Sequence, residues 1–159
     1  MLENMINSDG TSKQVVVETE KYLSFMIDKS EYAVSIQYVT DIIKLLPITF
    51  LPNIPDYIKG IINLRGKIVP VMDMRMRFGK EEIEYTDAAC IIVMEYNNIS
   101  VGILVDEVAE VADVAIKKIM SPPKQGHSDY NKFVKGISKQ GSKIFLLIDC
   151  TQLFDIENL

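Results

Sequence analysis

Tryptophan is missing from these 159 residues, and histidine and cysteine are scarce: one imidazole, His127, and two thiols, Cys90 and Cys150. A hydrolase built on a Ser–His or Cys–His pair would have to use His127, which stands in a Gly/Ser/Asp loop after Pro122-Pro123, where a solvated side chain is expected. The two cysteines have no close spacing, so a thiolate metal cage is excluded. Both read as buried free thiols of a reducing compartment. Long apolar runs are also lacking. CIIVM and IFLLI are strand-length, far below the roughly 20 residues that cross a bilayer. The first residues, MLENMINSDG, carry an acid and no basic-then-apolar leader, so no secretory signal is expected and the chain reads as soluble and cytoplasmic. Nor is there an excess of positive charge. Lys and Arg number 17 against 22 Asp and Glu, a net −5, which argues against nucleic acid as the main ligand. No G-x-S-x-G, P-loop, H-E-x-x-H or G-x-G-x-x-G occurs.

What is present is apolar content enough for a core, 48% of residues, arranged in short alternating runs. Residues 1–19 are polar and are expected to form a flexible tail, with Val15-Val16-Val17 able to add an edge. Tyr22 to Ile27 and Tyr32 to Ile36 flank the polar turn Asp28-Lys29-Ser30-Glu31 as a first hairpin. Ile36, Val39, Ile42, Ile43 and Leu46 are spaced at three and four, which predicts a short helical turn, then an extended piece, with the apolar stripe in the core. Prolines 47, 52 and 55 force an irregular connection. Ala88–Tyr96 and Ile99–Val105 form a hairpin around Asn97-Asn98, two residues that tolerate left-handed backbone. Phe133–Lys139 and Ser142–Ile148 make another around Gln140-Gly141, and residues 151–159 read as a C-terminal helix capped by Asp149 or Thr151. No long repeat is apparent. Short strands, tight turns and little helix predict an all-β fold of two small packed barrels.

Two sets of polar residues are candidates for function. Asp73, Asp106 and Asp149 each follow an apolar strand, where they could converge on Mg²⁺ for a metal-dependent hydrolase, or simply cap and turn the chain. The stretch Gly60–Gly79, GIINLRGKIVPVMDMRMRFG, places Arg65 on a tight turn between two apolar strands, with Gly66 supplying positive φ and Asp73 capping a helical turn that Gly79 ends. A charge on a hairpin tip faces outward, as a solvated turn residue or as a contact for a partner.

The run from Pro55 to Gly79, P-x-Y-I-K-G-x-I-N-L-R-G-x-I-V-P-V-M-D-M-R-x-R-F-G, together with EYAVSIQYVTDII, VGILVDEV, IMSPP and FVKGISKQGSKIFLLID, resembles the CheW-type chemotaxis coupling proteins. The likeness runs from about Lys21 to Phe154 and marks residues 20–159 as one such domain. It implies two five-stranded, SH3-like barrels around a shared core, no catalysis and no cofactor. The expected role is an adaptor. The family binds the cytoplasmic tip of transmembrane chemoreceptors and the regulatory domain of the chemotaxis histidine kinase, so the chain is expected in the cytoplasm at membrane-bound receptor arrays without entering the membrane. Matched by motif, Arg65, Gly60, Val39 and Asp41 fall on positions tied to receptor coupling. The family's arginine pairs with an acid, commonly glutamate. Here that acid is Asp41, one methylene shorter. The kinase contact is expected on exposed ends of both barrels, with no residues assigned. Lacking an ATP site or a receiver segment, the chain reads as a stand-alone adaptor.

Overall fold

Left-handed backbone at a few turn positions sets the hairpins. The structure, a computed structural model, describes residues 2–6, 8, 10, 12–123 and 132–156. Asn97 and Asn98 both have positive φ, as do Arg65 and Gly66, so each pair closes a two-residue turn of the kind that matches strand twist. The strands are β1 (Leu2–Ile6), β2 (Ser12–Val16), β3 (Thr19–Ile27), β4 (Ser30–Ser35), β5 (Val39–Lys44), β6 (Ile58–Leu64), β7 (Lys67–Asp73), β8 (Cys90–Tyr96), β9 (Ile99–Val105), β10 (Glu107–Ala115), β11 (Val134–Gln140) and β12 (Lys143–Ile148). Helices α1 (Met74–Arg77) and α2 (Cys150–Leu153) are single turns capped by Asp73 and Asp149. The C-terminal helix is thus shorter than expected from residues 151–159; Phe154 ends it. His127 and the loop 124–131 lie outside the described residues. In the expected tail, β1 and β2 pair as a separate two-stranded hairpin.

Two five-stranded sheets carry the fold, in the orders β10-β3-β4-β12-β11 and β5-β8-β9-β7-β6. We call them barrel one and barrel two, although neither closes with a full ladder. In barrel two the chain after β5 meets β6 through one bridge, Thr49 to Ile61, and in barrel one the chain after β10 meets β11 through Met120 to Ile137. Each barrel has its own small interior, one around Tyr22, Val114, Phe145 and Leu147, the other around Ile62, Val71, Ile91 and Leu104. The largest cluster lies between them. It combines Leu23, Phe25 and Val34 with Met72, Ile92, Met94 and Ile103, so strands in the middle of both sheets are apolar on both faces.

The two sheets are versions of one pattern, a structural repeat that is not apparent as a long repeat in the sequence. Strands β3–β7 with α1, and β8–β12 with α2, follow the same order of elements. Antiparallel β6–β7 aligns with β11–β12 at one constant offset: Gly60 with Gly136, Ile68 with Ile144, Asp73 with Asp149, Phe78 with Phe154. Both hairpins carry a bulge before the glycine, and both capping aspartates donate their backbone N–H across at 2.7 Å, to the carbonyls of Tyr57 and Phe133. The halves also trade strands. Barrel one takes β3 and β4 from the first half and β10–β12 from the second; barrel two is the reverse, each joined by one parallel pairing, β4–β12 or β7–β9.

Candidate functional site

The β6–β7 turn holds Arg65 at φ 51°, and its side chain remains 78% exposed. From there it reaches across the seam where the two edges of barrel two approach each other. Its guanidinium nitrogen lies 3.0 Å from Oδ2 of Asp41 on β5. The shorter acid therefore spans the gap. Its Oδ1 accepts from the backbone N–H of Ile42, while Oδ2 is shielded from solvent and has no hydrogen bond, so the arginine contact is an ion pair without hydrogen-bond alignment. An exposed pair of this sort is worth about 0–1 kcal/mol, enough to orient the guanidinium and little for the fold.

Gly60 lies on the same seam. At φ 147° it admits no ordinary side chain, and a Cβ placed there would stand 2.0 Å from the carbonyl oxygen of Thr49. That close approach lets Thr49 and Ile61 exchange both backbone hydrogen bonds, at 2.8 and 2.9 Å. Val39, on the far side of a β5 bulge from Asp41, is half-buried against the shared core. Gly60, Arg65 and Asp41 thus belong to one seam, with Val39 at its inner end. The apolar stripe expected in the core behaves otherwise. Only Ile36–Tyr38 is helical; Ile36 in that turn and Leu46 beyond the strand are exposed, as is Ile42, which stands on the uncovered face of the edge strand β5.

Sequence reasoning did not find the matching seam of barrel one. Glu110 on β10 takes the place of Asp41, its backbone N–H bonded to Ser24 Oγ on the neighbouring strand, and it pairs with Lys143 at 2.9 Å. That contact holds the Lys143 ammonium more firmly protonated. Val108 repeats the half-buried position of Val39. The signal available beforehand was Lys59-Gly60-Ile61 recurring as Lys135-Gly136-Ile137, each ahead of an apolar strand ending in aspartate.

The three strand-end aspartates have separate tasks. Asp73 is fully buried and its Oδ1 accepts from the N–H groups of Arg75 and Met76 and from the Tyr85 hydroxyl, with Lys59 3.7 Å from Oδ2. Burial, then that bond to the carboxylate, pushes the Tyr85 phenol far above its ordinary range. Asp106 receives two hydrogen bonds from the Arg75 guanidinium, at 2.9 and 2.6 Å. Asp149 caps α2. Among the described residues no three Asp, Glu, His or Cys side chains gather to hold a metal ion. Of the thiols, Cys90 is half-buried and Cys150 buried, and burial pushes the Cys150 thiol up to about 11. Arg77 joins the halves: its guanidinium lies 4.2 Å from the Tyr57 ring and 4.8 Å from that of Phe133, and donates to the carbonyls of Gln152, Leu153 and Asp155. No helix among the described residues is long and apolar enough to cross a membrane.

Two open barrels fused through one core, each with an ion pair across an exposed seam, define a double-barrel fold. Residues 21–158 match the model of the CheW-like domain, and the chain belongs to that family. It is 37% identical over 139 residues to the chemotaxis protein CheW of Bacillus subtilis, covering 87% of this chain and 89% of that one. With the CheW of Klebsiella aerogenes it shares 30% over 140 residues, 88% and 84% of the two chains. The crystal structure of the scaffolding protein TtCheW from Thermoanaerobacter tengcongensis superposes with a TM-score of 0.81 at 34% identity, covering 89% of this chain and 97% of the other.

Proposed function

We propose that this chain is a non-catalytic adaptor that couples the cytoplasmic tips of methyl-accepting chemoreceptors to the regulatory domain of the chemotaxis histidine kinase, and so is recruited from the cytoplasm to membrane-bound arrays. Membership of the CheW-like family supports the chemotaxis role. The observation that carries the docking site is the seam of barrel two, where Arg65 stands outward beside Asp41 and the Gly60–Thr49 contact fixes the backbone under it. On this reading Arg65 and Asp41 meet the receptor, Gly60 keeps the seam flat, and Val39 sets the depth of the apolar floor. A receptor helix offers an apolar stripe, and exposed Ile42 and Ile68 offer a surface for one.

Reconstitution tests it. The chain is mixed with a receptor signalling fragment and the kinase, and ATP turnover is followed. Receptor control of turnover that appears with the wild-type chain and disappears with Arg65→Ala is the expected result. Control that persists with Arg65→Ala removes the site assignment, and no control with the wild-type chain removes the adaptor reading.

A further inference from the structure

The hairpins β6–β7 and β11–β12 carry the same irregularity and put it to different use. In the first, Ile58 stands opposite Met72 and Gly60 opposite Val71, which leaves Lys59 as the extra residue of a bulge; in the second, Val134 faces Ile148, Gly136 faces Leu147, and Lys135 is the extra residue. A bulge re-aims the side chain it inserts. The two lysines end in different company. The Lys59 ammonium lies 3.7 Å from Oδ2 of the fully buried Asp73, an oxygen that takes no hydrogen bond, and it also pairs with Glu82 of the chain between α1 and β8. Tyr85 of the same stretch packs on the interior of barrel two and donates to Oδ1 of Asp73 at 2.7 Å. Lys135 has no such frame. Its ammonium turns to the Tyr22 ring, 5.6 Å from the centroid, and Asp149 accepts only the N–H of Thr151 among the described residues.

The glycine after each lysine differs as well. Gly60 has φ 147° and a Cβ there would stand 2.0 Å from the Thr49 oxygen, whereas Gly136 has no positive φ and its Cβ would stand 3.3 Å from the Met120 oxygen. Both bulges nevertheless lead to a pair of backbone hydrogen bonds across the seam, Thr49 with Ile61 and Met120 with Ile137, each pair at 2.8 and 2.9 Å. Barrel two thus makes its bridge through a backbone suited to glycine alone, directly after a lysine tied to two carboxylates.

We propose that Lys59 is a positioning residue for the docking seam: its ammonium, held by Asp73 and Glu82, pins the β6 bulge and so keeps Gly60 in the conformation that lets Thr49 bridge Ile61 beneath Arg65. Tyr85 acts one step behind, by fixing the Asp73 carboxylate that Lys59 meets. The inference rests on the docking site proposed above and adds what holds that site in shape. Barrel one supplies the contrast, since its lysine is not tied to the capping aspartate and its glycine keeps ordinary backbone.

The test uses the full chain and follows amide hydrogen exchange at the two bridges by NMR, with amides of the β8–β9 hairpin as the reference for global opening. Lys59→Met is expected to speed exchange of the Thr49 and Ile61 amides by about tenfold and leave those of Met120 and Ile137 unchanged; Lys59→Arg should restore the slow rates, and Lys135→Met should alter neither bridge. A plain loss of stability would speed both bridges together. Should Lys59→Met not fold, Tyr85→Phe carries the same comparison, with an expected rise of about threefold at Thr49 and Ile61. Calorimetry with a soluble coiled-coil fragment of a chemoreceptor signalling tip then reads the consequence: Lys59→Met should bind about threefold to tenfold more weakly, and Lys59→Arg as the wild type does. Unchanged exchange at Thr49 and Ile61, or equal acceleration at both bridges, overturns the inference and leaves the docking site standing. Faster exchange at Thr49 and Ile61 with undiminished receptor binding removes the docking site instead, and with it the role of Lys59 in docking.

Discussion

Replacing Gly60, in the bulged start of β6, by alanine should cost far more than the same change at the tight turns. A Cβ at Gly60 would stand 2.0 Å from the Thr49 oxygen and 2.7 Å from its carbonyl carbon, both backbone atoms that yield only if the chain moves. Moving Thr49 away breaks two hydrogen bonds with Ile61, each worth about 1 kcal/mol. The φ of 147° adds about 1–2 kcal/mol for any residue with a Cβ. The sum, about 3–4 kcal/mol, corresponds to a melting temperature lower by about 10 °C for a chain of this size. Three other glycines calibrate the estimate. Gly66 and Gly141 also have positive φ, but nothing lies within 4 Å of their added Cβ, so alanine there should cost only about 1 kcal/mol. At Gly136, the counterpart of Gly60, the Cβ meets the Ile119 methyl at 2.5 Å and the Met120 oxygen at 3.3 Å, without the φ penalty. A side chain can turn aside, so its cost should be intermediate. Urea and thermal unfolding of the four variants give the order directly. Gly60→Ala no less stable than Gly66→Ala would refute the reasoning, since it would mean that the Thr49 contact imposes nothing.

Arg65→Ala should change stability by less than about 1 kcal/mol in urea melts yet abolish receptor control of the kinase, while Asp41→Glu should keep both. Asp73→Ala should destabilise by about 3 kcal/mol, because it leaves a half-buried phenol and two helix N–H groups without an acceptor, whereas Asp149→Ala removes one cap contact and should cost about 1 kcal/mol. The Cys150 thiol, raised to about 11 by burial against an unfolded value near 9, contributes stability that is complete below pH 9 and declines as pH rises through 11; a Cys150→Ala variant should show a flatter pH–stability curve there, and native protein at pH 8 should resist iodoacetamide at this position. Arg77→Ala should lower stability by about 2–3 kcal/mol, because two carbonyls at the end of α2 and one just beyond it lose their donor; circular dichroism melts would show it.

Local chemistry was legible in the sequence and partnership across the chain was not. Asn97-Asn98, the Arg65-Gly66 turn and the Asp73 cap could be read because turn and cap preferences act over a few residues. The exposure of Ile42 could not, since it follows from β5 standing at a sheet edge, a fact fixed by β8 nearly fifty residues later in the chain. The parallel pairings β4–β12 and β7–β9 leave no local mark at all. Arg65 and Gly60 were recoverable through their motif. Glu110 and Lys143 became visible only when the two hairpins were laid in register, for Arg65-Gly66 corresponds to Gly141-Ser142 and the glycines fall out of step.

The traded strands have a consequence for how such a chain arose and how it can be cut. Each sheet is completed by the opposite half, the arrangement produced when two domain-swapped protomers are fused end to end. Severing the peptide between α1 and β8 would therefore release no independent lobe. The fragments would stay clasped, each lacking the strands its neighbour supplies, so any force on one seam is felt by residues encoded in both halves of the gene.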